Sequence, residues 1–258
     1  MNLCPEASAP FVRWDAARYL RDYYGRLEHD EELTLRFLVR RIADAGPRSR
    51  VLEFGSGPTV HHLLPLAPHV GAVDVADYLP ANLEQVQRWL RRSPAAHDWR
   101  AFTSHVLACE GRPLPHAREL AEREDLTRRR VRHLLHCDAG RDHPLGAPLH
   151  RGYDALISCF CADSATDDKA TWRRYMANIL GLLKPGGLFV GAALRRCRRY
   201  RVGSAQFPCA DIDERDVEAV LRNAGCDRHS IRIEVEAVPQ HRALGYDGIV
   251  LAAGVLAG

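Results

Sequence analysis

From residue 50 onward, short apolar runs alternate with helical stretches, and this alternation restricts the possible folds more than any other feature of the chain. Strands are expected over 50–54, 69–75, 131–137, 153–160, 187–194, 230–238 and 247–255, with helices over 59–66, 79–92, 169–183 and 213–224. Such an order gives an α/β fold with a mostly parallel sheet covered by helices. The last two strands lack a helix between them, which predicts that they pair antiparallel as a hairpin-like edge. Ahead of the sheet, residues 14–24 (WDAARYLRDYY) and 30–45 read as helices. In the second, Leu33, Phe37, Leu38, Arg41 and Ile42 recur at helical spacing. Residues 95–130 form a charged insertion in which RELAEREDLTRRR reads as a solvated helix. No repeat or linker interrupts 1–258, which predicts one domain: a helical segment 1–46 and a core 47–258.

Composition narrows the function classes. Lys and Arg total 36 against 33 Asp and Glu, an excess too small to point to nucleic acid or a membrane surface. Only Lys169 and Lys184 are lysines, so arginine supplies nearly all the positive charge. No run approaches the roughly 18 apolar residues of a spanning helix, and the start lacks an apolar targeting segment, so a soluble, cytoplasmic protein is expected. Eight cysteines, scattered from Cys4 to Cys226, show neither paired zinc-ligand spacing nor a disulfide framework, and no metal is expected.

The apolar strand Val51-Leu52-Glu53-Phe54 runs directly into Gly55-Ser56-Gly57-Pro58-Thr59, after which a helix is expected through His61 to Leu66. Glycines at such a turn let the backbone approach a ligand, and in doubly wound sheets this is where nucleotides bind. Asp77 lies 20 residues after Gly57 at the end of the next strand, where a carboxylate can accept from both ribose hydroxyls. Asp74 competes, but strand alternation places it mid-strand. The third glycine of a dinucleotide fingerprint is missing, so an adenosine without a pyrophosphate suits the turn better.

With LLKPGG before the strand at 187, these segments resemble class I S-adenosylmethionine-dependent methyltransferases. More narrowly, ARYLRDYY, FGSGPTVHHLL, DYLPANLEQVQRWLRRSPAAHDW, LLHCDAGRDHPLG and VGSAQF resemble the nicotinamide, phenylethanolamine and indolethylamine N-methyltransferases. The resemblance implies a three-layer Rossmann-like fold with a seven-stranded sheet, an antiparallel C-terminal strand and an N-terminal helical lid. It implies S-adenosylmethionine as cofactor, held by Tyr19 and Tyr24 of the lid, by Gly55, Ser56, Gly57, Thr59 and His61, and by Asp77, Tyr78 and Asn82. Asp138, Ala139 and Cys159 complete that set. His61 replaces a tyrosine that faces the donor in the relatives.

Methyl transfer needs donor and acceptor held in line in a water-poor pocket, without a metal or covalent nucleophile. An amine arriving protonated must lose a proton, and Asp163, with Tyr24 from the lid, is the first candidate for catalytic work there. On the substrate side the resemblance implies Asp163 and Cys209, and Tyr200 and Asp247 are further pocket candidates. Where the relatives carry an acid after strand 187–194, this chain reads Arg195-Arg196-Cys197-Arg198-Arg199. Arg195 and Arg199 are therefore candidate partners for an acidic group on the acceptor, a solvated arginine-rich loop being the alternative. The reading is N-methylation of a small-molecule amine or N-heterocycle by a monomer or homodimer. Methyl transfer to oxygen or sulfur, or a non-catalytic adenosyl-binding protein, remain the alternatives. The arginine bias and short form point to a bacterial member, for which specialised metabolism is a candidate setting.

Overall fold

The computed structural model describes residues 14–146 and 152–258, so the first 13 residues of the expected lid, Cys4 among them, lie outside it. Seven strands form one sheet: β1 Arg48–Phe54, β2 Val70–Asp77, β3 Val131–His136, β4 Tyr153–Cys159, β5 Leu183–Leu194, β8 Arg232–Ala237 and β9 Gly248–Val255. Their order is β3-β2-β1-β4-β5-β9-β8. The first five are parallel, while β9 runs antiparallel to both β5 and β8. The seven-stranded, mostly parallel reading therefore holds. The C-terminal pair is antiparallel as expected, but β9 lies inside the sheet and only β8 forms the edge. The β9 run GIVLAAGV is buried along both faces, the pattern of an interior strand.

Strand alternation sorts the core onto two faces. Val51, Val73, Val75, Ile157, Val190, Ile249 and Leu251 point to one face, Leu52, Phe54, Ala76, Leu156, Phe189 and Val250 to the other. Helices α7 (Lys169–Leu180) and α8 (Glu214–Asn223) cover the second face with Trp172, Met176, Ile179, Val217 and Leu221. The first face is covered by α2 (His29–Ala45), whose Leu35, Phe37, Leu38 and Ile42 are almost fully buried, each worth about 1.5–3 kcal/mol of burial. Within residues 14–46, then, α1 (Ala16–Tyr23) covers the crevice and α2 belongs to the core.

Two expectations change. The helix after the glycine turn shrinks to α3, Leu63–Leu66. Pro65 has no N–H to give and would clash with the carbonyl of residue 61, so it is tolerated only in a first turn. The charged insertion is not simply solvated: after α4 (Pro80–Leu90) it forms α5 (Arg100–Cys109) and α6 (Ala117–Arg130). Trp99, Phe102 and Val106 enter the core, and the buried Arg123 donates to Glu110 at 2.7 Å and to the Leu64 carbonyl at 3.1 Å. Between β5 and α8, β6 (Arg199–Val202) and β7 (Ala205–Pro208) form a separate hairpin.

Candidate functional site

The crevice opens at the C-terminal ends of β1, β2 and β4, where the strand order reverses. Gly55 and Gly57 have φ of +73° and +61°, a region that favours glycine. A Cβ on Gly55 would also lie 2.0 Å from Cys161 Sγ, so the turn has room for hydrogen alone. The hydroxyls of Ser56 and Thr59 donate to the carbonyls of Gly57 and Ser56, at 3.0 and 2.8 Å, and brace the turn.

Asp77 sits at the end of β2, only 6% exposed. Its carboxylate accepts from the N–H groups of Gly57 and Leu79, both at 2.8 Å, and from Asn82 Nδ2 at 2.9 Å. Burial pushes its pKa up, while these donors pull it back. Asn82 in turn accepts from Trp14 Nε1 at 2.7 Å, so one hydrogen-bonded chain joins the segment before α1 to the glycine turn. The competitor Asp74 is committed elsewhere: Tyr153 Oη at 2.8 Å, Arg50 at 2.9 Å and His133 at 2.7 Å surround it within β2, short of the strand's end.

Tyr78 packs near His136, with ring centroids 5.5 Å apart, and Asp138 and Ala139 follow β3 on the same rim. Asp138 accepts from the N–H of Gly140 at 2.9 Å and from Arg141 at 3.2 Å, and the Ala139 carbonyl accepts from Asn178. Cys159 is buried at the end of β4, where burial pushes its thiol up.

An aromatic shell encloses the crevice. Tyr19 contacts Trp14, Tyr23 and Tyr24 at centroid distances of 4.6, 5.1 and 5.5 Å, and Tyr24 reaches His61, Trp99 and Phe102. Trp14 also meets Phe207 edge-on at 5.7 Å, and Phe207 stacks on Tyr200. The hairpin β6–β7 thus meets the lid, where Tyr23 Oη also donates to the Arg201 carbonyl. Burial raises the Tyr24 phenol well above its ordinary range, so it can donate but not act as a base.

Beneath this shell lies a buried polar cluster that strand and helix patterns do not reveal. Glu31 of α2 is 2.9 Å from His61 Nε2 and 3.7 Å from His62 Nε2, while His62 Nδ1 is 3.1 Å from Glu53 of β1. Burial opposes charge on His62, yet the facing carboxylates of Glu31 and Glu53 push its pKa up to about 9. Burial and the neighbouring His62 push His61 down to about 4, leaving it neutral. His61 stacks on Trp99 at 5.2 Å, so the donor-side position proposed for it is filled by a covered imidazole.

The substrate side departs from expectation. Arg195 is held by Glu214 at 2.7 Å and Arg198 by Asp211 at 2.9 Å, and Arg196 lies 3.5 Å from Asp213. Arg195 is thus spent on the start of α8 and is not a free carboxylate receptor. Arg199 is also displaced from the crevice: β6 alternates, so Tyr200 faces inward and Arg199 is exposed. Asp247 is exposed and paired with Arg242 at 3.0 Å. Cys209 is fully buried against Cys197, both thiols free. Asp163, in the loop after β4, lines a small cavity with Ser158, Cys161, Ala193 and Trp172, and its charge bears on Tyr200 and Cys209. It is 2% exposed, accepts from the Leu194 N–H at 2.9 Å, and burial pushes its pKa up to about 6.

Trp14, Trp99, Phe102, Phe207, Glu31, Glu53 and His62 were not singled out from the sequence. Of these, only the adjacent acid and histidines in HDEE and TVHHLL carried a visible chemical signal.

The profile of the NNMT/PNMT/TEMT family matches residues 6–254. The chain is 31% identical to nicotinamide N-methyltransferase of Sus scrofa over 214 residues, covering 80% of each sequence. It is 33% identical to phenylethanolamine N-methyltransferase of Bos taurus over 232 residues, covering 84% of this chain and 79% of the relative. Among solved structures, an S-adenosylmethionine-dependent methyltransferase of Clostridium acetobutylicum superposes with a TM-score of 0.56 at 11% identity, over 93% and 96% of the two chains, which is a likeness of fold. The two sequence relatives are mammalian and lend nothing to a bacterial source or to specialised metabolism.

Proposed function

The chain belongs to the NNMT/PNMT/TEMT family, and from that premise we propose that it transfers a methyl group from S-adenosylmethionine to the nitrogen of a small amine or nitrogen heterocycle. The observation that carries this reading is the pairing of Asp77 with the bare backbone of the Gly55–Gly57 turn under an aromatic cover. A turn without Cβ atoms leaves room for a methionyl chain, and a buried carboxylate beside it suits two ribose hydroxyls. Aromatic faces suit a cationic sulfur. When bound, S-adenosylmethionine supplies a methyl group on a sulfonium.

In this reading Asp77 accepts the ribose hydroxyls, Asn82 holds Asp77 in place, and Tyr78 with Asp138 and Ala139 flanks the adenine. Trp14, Tyr19, Tyr24, Tyr200 and Phe207 exclude water around the reacting centres, which strengthens electrostatic interactions there. Asp163, with a carboxyl pushed up to about 6, is poised to take the proton of an ammonium acceptor at its carboxylate oxygen. An acid-bearing acceptor is not part of the proposal, because Arg195, Arg196 and Arg198 face acids of this chain.

The test is transfer of labelled methyl from S-adenosylmethionine to a panel of primary amines, pyridines, phenols and thiols. The reading expects label on nitrogen acceptors alone. Label on oxygen or sulfur with none on nitrogen would overturn it, and so would tight donor binding without transfer to any nitrogen compound in a broad panel.

A further inference from the structure

Independently of the methyl-transfer reading, we propose that Glu31, His61 and His62 form a buried binding site for one divalent transition ion of the zinc class, joining α2 to the glycine turn. Glu31 Oε2, His61 Nε2 and His62 Nε2 converge from two elements, each offering one ligand atom, and these atoms all lie within 4.8 Å of one another. Tetrahedral zinc with bonds near 2.0–2.1 Å places its ligand atoms roughly 3.3 Å apart. The observed Glu31–His61 and Glu31–His62 separations of 2.9 and 3.7 Å straddle that value. Shifts of a few tenths of an ångström bring both Glu31 pairs to that spacing, and the two histidine nitrogens lie within 4.8 Å of each other.

A second observation points to a ligand. His62 is 5% exposed, yet its Nε2, aimed toward Glu31, has no hydrogen-bond partner among the described residues; His61 Nδ1 and Glu53 Oε2 are likewise buried without one there. Orphaned polar atoms of this kind are costly and call for a partner. His62 already has the arrangement typical of a metal-bound imidazole: its other nitrogen, Nδ1, meets the Glu53 carboxylate at 3.1 Å, which orients the ring so that Nε2 faces the ion once metal binding displaces its proton. Tyr24 Oη reaches the second Glu31 oxygen at 3.3 Å and orients that carboxylate in turn. Two imidazoles and a carboxylate suit zinc and disfavour magnesium or calcium, which prefer all-oxygen sets. Trp99 and Phe102 cover the cluster, so the ion loads as the chain folds, and a water completes the tetrahedron beside the three protein ligands.

The protein should be expressed in zinc-supplemented and in cobalt-supplemented medium, dialysed against a weak chelator, and assayed for metal by mass spectrometry. The proposal expects close to one equivalent of either metal in wild type and at least a tenfold lower content in His62→Gln. The cobalt form should show intense visible bands of a tetrahedral nitrogen and oxygen site, without the thiolate-to-cobalt band that cysteine ligation would give. Removing the ion with a strong chelator should lower the wild-type melting temperature. Folded wild type holding less than a tenth of an equivalent of both metals would overturn the proposal, as would a cobalt spectrum dominated by thiolate. Unchanged metal content in His62→Gln would do the same. If His62→Gln does not fold, the wild-type stoichiometry and spectrum decide the matter alone.

Discussion

Replacing Asp77 tests the donor crevice most directly. Its carboxylate holds three donors, the N–H groups of Gly57 and Leu79 and the side chain of Asn82, and in the proposed complex also takes the ribose hydroxyls. Hydrogen bonds to a charged group contribute about 1.5–3 kcal/mol each. Loss of two ribose bonds is then about 3–6 kcal/mol, or about 10²–10⁴ in Kd at about 1.4 kcal/mol per decade. Calorimetric titration of S-adenosylhomocysteine into wild type, Asp77→Ala and Asp77→Asn measures this, the Asn variant keeping the site's volume should the Ala variant unfold. Asp74→Asn is the control, since Tyr153, Arg50 and His133 engage that carboxylate: it should lose stability and keep its affinity. Unchanged binding by folded Asp77 variants, or equal loss in Asp74→Asn, would refute the assignment.

Other perturbations follow from the same geometry. Because burial raises the Asp163 pKa from 3.8 to about 6, its contribution to stability is full below pH 4 and is lost as pH rises through 6, about 3 kcal/mol at most. Urea unfolding should therefore show Asp163→Asn gaining on wild type between pH 4 and 7; parallel curves would contradict the burial argument. Gly55→Ala should cost about 2–5 kcal/mol in unfolding free energy from positive φ and overpacking, and Cys161→Gly in the same chain should recover the overpacking share but not the backbone share. Trp14→Phe leaves the Asn82 oxygen without its indole donor and should weaken S-adenosylhomocysteine binding about fivefold, read by the same calorimetry. Arg195→Ala, which breaks a half-exposed pair with Glu214, should cost no more than about 1 kcal/mol and leave kcat/KM within about twofold for any amine the enzyme accepts.

Elements whose signal is local were legible in advance. The strand VLEF leading into GSGP, and the acid closing VGAVDVAD, announce a crevice because a glycine turn and a strand-end carboxylate need only their own backbone to be placed. The helix beyond that turn was misjudged, since apolar residues at 60–66 suit a helix and only the clash of Pro65 with a preceding turn limits it to Leu63–Leu66. The insertion was misjudged for a related reason. Fourteen residues rich in Arg and Glu read as solvated, yet Arg123 is buried because Glu110 and the Leu64 carbonyl are there to receive it.

The amino-acid sequence by itself determined the α/β alternation, the antiparallel C-terminal pair, the donor turn with Asp77, and the family, because each is written in residues close together along the chain. Only the tertiary structure decided that β9 lies inside the sheet, that Arg195 serves Glu214, and that Glu31, Glu53, His61 and His62 meet under Trp99. Those outcomes depend on which side chains from distant segments come within a few ångströms of one another. Local periodicity sets the face on which a residue lies, whereas packing between elements sets its partners, and for buried charges the partner determines the chemistry.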